Sequence, residues 1–87
     1  MDPYSPNTLM SLAVTYHLSR DSEKSVKILK RYIELDPENP QALRMGIQGA
    51  GAVGDKVFAD RLLELMKKHN PSAVPLAESF IEDAFAD

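Results

Sequence analysis

Pro3, Pro37 and Pro71 stand 34 residues apart, each inside a similar turn: "DPYSPNTL" from Asp2, "DPENPQAL" from Asp36 and "NPSAVPLA" from Asn70. No other feature constrains an 87-residue chain as tightly. A fixed period of this length means that each interval holds one supersecondary unit. Such a unit cannot bury its apolar face alone, so successive units must stack.

Between the turns the periodicity is helical. Leu9, Leu12, Ala13 and Tyr16 recur at i, i+3, i+4 and i+7, one face of a helix. Ser5 suits the N-cap and Pro6 the first helical position, where a missing N–H costs nothing. "SRDSEK" (19–24) breaks the pattern, and Asp21 or Ser22 can cap a second helix with Val26, Leu29, Tyr32 and Ile33 on its apolar face. The second interval repeats the plan, with helices expected over roughly 40–52 and 56–69 and a break at Gly54-Asp55. A fifth helix is expected from Val74, with Ala77, Phe80, Ile81 and Ala84 inward. No stretch reads as a strand, so the expected class is all-α with five helices.

With these residues in view the chain resembles the tetratricopeptide repeat family over nearly its whole length. The family's first helix carries a large residue, a Leu, a small residue and an aromatic, matched by Leu9, Leu12, Ala13 and Tyr16. Ser25, Leu29, Tyr32 and Pro37 match the rest of the pattern, with Tyr32 oversized for its slot. The second unit supplies Leu43, Ala59, Leu63, Met66 and Pro71. It departs at Gly46, Ile47 and Ala50, where Leu, a small residue and an aromatic are usual. The resemblance implies a right-handed α-solenoid of antiparallel helix pairs in a single domain, 1–87. The first repeat covers about 6–39, the second about 40–73, and a C-terminal helix about 74–86.

"GAGAVGD" (49–55) also spells the dinucleotide fingerprint G-x-G-x-x-G. That motif needs an apolar strand before it, and "QALRMGIQ" is broken by Arg44 and Gln48. The glycines are therefore expected inside a helix and at its end. Three helical glycines cost about 3 kcal/mol relative to Ala. Ala42, Gly46 and Ala50 form a stripe of small residues that a neighbour can approach, with Tyr32 or Phe58 expected to fill it. If Gly49 and Gly51 only weaken the helix, Gly49→Ala or Gly51→Ala should stabilise, and Gly46→Leu should destabilise if an aromatic fills the stripe.

Little here suggests catalysis. His17 and His69 lie on different helices, there is no cysteine, and no zinc spacing or nucleophile elbow occurs. An enzyme is not expected, and neither is a metal or cofactor. The net charge of −3 with interspersed signs offers no stripe for nucleic acid and no polybasic membrane anchor. No apolar run is long enough to span a bilayer. Absence of cysteine and of a secretory signal favours the cytoplasm.

The resemblance implies instead a protein or peptide partner held on a concave surface. The matching positions are Asn7, Met10, Val14 and His17, then Gln41, Arg44 and Gln48 (with Gly51), and Glu78 and Glu82 on the last helix. Some family members clamp acidic chaperone tails with Lys and Asn at such positions. Met10, Val14 and Met45 stand there in this chain, which disfavours that ligand. Phe80, Ala84 and Phe85 have no second helix to meet, so a homodimer contact is expected there. The alternative is a structural segment of a longer array.

Overall fold

Residues 5–86 are described by a computed structural model. The turn at Pro3 lies outside them. Five α-helices follow in order: α1 (Pro6–Leu18), α2 (Ser22–Leu35), α3 (Pro40–Val53), α4 (Lys56–His69) and α5 (Val74–Ala84). A 3₁₀ turn, Pro71–Ala73, leads into α5, and the described residues contain no strand.

Capping chemistry sets these boundaries. Ser5 accepts from the Thr8 N–H, Asp21 from Lys24, and Asp55 from Phe58, while Asn39 accepts from both Gln41 and Ala42. Each side chain thereby satisfies a donor that the helix leaves without an internal partner. Pro6 and Pro40 open their helices as expected. Between the members of each pair the chain turns through one left-handed residue, Arg20 at φ 63° and Gly54 at φ 79°. Those two residues are 34 apart, so the second turn has the glycine that this geometry favours and the first does without it.

Each helix packs on its chain neighbour, and α5 rests on both α3 and α4. The core runs the length of the molecule, through Leu9, Leu29 and Ile33 to Leu43, Leu62, Met66 and Ile81. Ser25 is the buried polar residue, and its hydroxyl donates to the Ala13 carbonyl. This layout explains the glycines. A Cβ at position 46 would lie 2.5 Å from Leu62 Cδ1 and 3.6 Å from Phe58 Cε2. Leu62 and Phe58 of α4 therefore fill the space, and Tyr32 does not. A Cβ at position 49 would meet Val26 Cγ2 at 2.8 Å, and one at position 51 would meet Phe80 Cε1 at 2.9 Å. An added methyl at position 49 or 51 would have to displace a neighbour, so both glycines are sites of close helix approach and do more than weaken the helix.

Gly49 and Gly51 lie within α3, and Gly54, its C-cap, donates its N–H to the Ala50 carbonyl. The first two glycines of the motif lie inside a helix and no strand precedes them among the described residues, so the segment is not a phosphate loop.

Candidate partner-binding groove

α3 and α5 run side by side in the same direction. At their C-terminal ends Phe80 and Ala84 lie against Gly51. At their N-terminal ends the contact opens into a groove of about 370 Å³. Ile47, Met66 and Ala77 form its apolar floor, and Leu76 and Phe80 of α5 form one wall. Arg44 and Gln48 come from α3, and Asn70 and Ala73 from the turn before α5.

The electrostatics of the groove are one-sided. Among the described residues no acidic side chain lines it, and the Arg44 guanidinium has no hydrogen-bond or ion-pair partner. Lys30 and Lys56 are each matched to an aspartate. An unpaired cation beside an apolar floor, with two amides near it, is complementary to a carboxylate attached to an apolar group. The arrangement offers recognition chemistry. Among the described residues no cluster of three or more His, Cys, Asp or Glu side chains is placed to hold a metal ion.

Of the residues that sequence reasoning placed on a concave surface, Arg44 and Gln48 line this groove. Gln41 is exposed on the same helix, outside the wall. On α1, Asn7 is exposed and His17 half-buried, while Met10 and Val14 pack against the core. Glu78 and Glu82 are exposed and do not line the groove. They match Arg44 and Gln48 in the 34-residue register, but Leu76, Ala77 and Phe80 form the wall instead. α5 starts at Val74, 34 residues after Pro40, so the two helices are in phase. α5 turns toward the groove the residues that correspond to Ala42, Leu43 and Gly46, and Glu78 and Glu82 fall on another side of it.

The proposed self-association residues also divide. Phe80 is 38% exposed, with its ring edge on Gly51, and Ala84 shares that contact. Phe85 is turned inward against the core, with Lys56 Nζ 5.9 Å from its ring centroid, and so leaves the exposed set. Leu76, 80% exposed, was missed. Its position one turn before Phe80 was the available signal.

Comparison with protein-family models, with curated proteins and with solved structures returns no match.

Proposed function

We propose that this chain is a protein–protein interaction module of the tetratricopeptide type, a short right-handed solenoid that holds a partner segment in the groove between α3 and α5. The reading draws on the 34-residue register, in which Pro6 and Pro40, Arg20 and Gly54, and Asp21 and Asp55 take matching structural roles. The observation that carries it is the unpaired Arg44 in a groove without a carboxylate, on a chain whose net charge is −3. The partner segment is one with Leu, Ile or Phe beside an acidic group.

Selection of short random peptides on the immobilised protein tests this. Selected peptides should pair an acidic residue with a large apolar one and should move the amide resonances of Arg44, Gln48 and Phe80. Arg44→Glu should weaken them by about tenfold or more, because it removes the only cation in the groove. Glu78→Gln, outside the wall, should leave affinity unchanged. Affinity that survives Arg44→Glu removes the reading.

A second reading, a segment of a longer array, is supported by apolar exposure at the opposite end of the molecule. There Leu35 is 55% exposed and Leu12 is 37% exposed.

A further inference from the structure

Two features of the groove and of α5 are complementary but cannot meet within one molecule. On α5, Leu76, Phe80 and Asp83 recur at i, i+4 and i+7 and so share one helix face. Leu76 is largely exposed, and the Asp83 carboxylate has no partner among the described residues. Arg44 is the unpaired cation of the groove, at the end where Pro40 and Ala73 stand. Asp83 precedes Ala84, which sits at the other end, beside Gly51. Position 51 of α3 is about 10 Å along the helix from position 44, at 1.5 Å per residue.

We propose that a second copy of this chain covers the groove about a two-fold axis, with the two α5 helices antiparallel. The register that sets Leu76 against Phe80 of the second copy also sets Asp83 of that copy against Ala73, beside Arg44. One symmetric contact thus closes both grooves, and each copy supplies the carboxylate that the other's Arg44 lacks. Such self-complementarity is what an isologous interface requires. Glu78 and Glu82 do not oppose it, because each is two positions from a member of the contact stripe and points off that face. The inference rests on the groove being a recognition surface.

Sedimentation equilibrium from micromolar to millimolar protein tests the contact. The unaltered chain should dimerise. Leu76→Glu, Arg44→Asp and Asp83→Arg should each weaken dimerisation by about tenfold or more while leaving the helical circular dichroism intact. All three side chains are exposed, so folding is not at stake. An equimolar mixture of the Arg44→Asp and Asp83→Arg proteins should form a heterodimer, because both cross-axis pairs are then matched. An unaltered chain that is monomeric at millimolar concentration overturns the proposal. So does a mixture that stays monomeric, or a set of variants that all dimerise like the parent. Selected peptides that bind a purely monomeric chain would sink the dimer and spare the peptide site. A charge-matched dimer with no peptide selected would do the reverse.

Discussion

Where α2 hands over to α3, Tyr32, Asp36 and Asn39 form a hydrogen-bonded knot. Where α4 hands over to α5, 34 residues later, the corresponding residues are Met66, Asn70 and Ala73, and they line the groove. In the first junction the Tyr32 hydroxyl donates to Asp36 Oδ2 at 2.9 Å and accepts from Asn39 Nδ2 at 2.9 Å. Burial, reinforced by the bond to Asp36, raises the Tyr32 pKa. The same Asn39 caps α3 with its other amide atom. In the second junction Met66 brings no hydroxyl, and α5 begins without a side-chain cap. One register therefore gives a closed junction and an open one. Three side chains decide between them, and those of the open one line the groove.

The largest expected difference follows from removing the centre of the knot. Asn39→Ala deletes a helix cap and leaves the buried Tyr32 hydroxyl with one partner fewer, at a cost of about 2 kcal/mol. Asn70→Ala, whose side chain accepts only from the exposed Ser72 hydroxyl, should change stability by less than about 0.5 kcal/mol. Equal urea midpoints for the two variants would mean that the junctions do not differ in this way.

Two glycines of α3 compare its packing on α2 with its packing on α5, away from the junctions themselves. Gly49 faces α2, where the opposing Val26 is buried and β-branched, with little freedom to rotate away. Gly49→Ala should therefore destabilise by about 1 kcal/mol net, the overpacking outweighing the gain in helix propensity. Gly51 meets α5 at the C-terminal ends of the two helices, where the opposing Phe80 is partly in solvent and can swing while Ala84 lies just within reach. Gly51→Ala should stay within about 0.5 kcal/mol of the parent. The reversed order in thermal melts would place the tighter packing at α5.

Much of this was readable in the chain, and the unread part has a common cause. Caps, prolines and the left-handed turn are local, so Ser5, Asp21, Asn39, Asp55 and Gly54 mark their own positions. The stripe of small residues on α3 was visible, and so was Phe58 as one filler. Leu62 was not, because which residue of α4 meets Gly46 depends on how far the two helices approach. The groove was half legible. Arg44 and Gln48 follow from the register, but the wall from α5 depends on which of its faces packs beside α3, and that is set by tertiary packing and not by the repeat.

Acid should act on the contact between α2 and the start of α4. Lys30 of α2 reaches across to Asp55, the cap of α4, at 2.8 Å. The hydrogen bond from Lys30, followed by that from the Phe58 N–H, holds the Asp55 pKa below its ordinary value. A depressed carboxylate pKa contributes stability above its unfolded value, about 3.9, and loses it as pH falls through the folded one. Asp55→Asn keeps the cap and removes the charge, so it should cost up to about 1 kcal/mol near neutral pH, discounted for the half-exposed Lys30. Below about pH 3.9 the gap from the parent should shrink. A gap that does not change with pH would mean that the pair contributes nothing.

The smallest effect comes from trying to close the open junction. Ala73→Asn places at the start of α5 the residue that caps α3. Asn39 accepts from the N–H groups two and three positions on. From position 73 these would belong to Pro75, which has none, and to Leu76. Ala73 is also in the right-handed helical region, at φ −89° and ψ −7°, whereas Asn39 is extended, at φ −68° and ψ 113°. Capping therefore requires the 3₁₀ turn to unwind, which offsets part of the gain. The expected stabilisation is about 0.5 kcal/mol, against the roughly 1 kcal/mol typical of a new cap. Slower hydrogen exchange at the Leu76 amide would report it directly, since that N–H would acquire the new acceptor. A gain as large as the loss in Asn39→Ala would mean that Ala73 alone holds the junction open. No gain at all would place the difference in Met66 and Pro75.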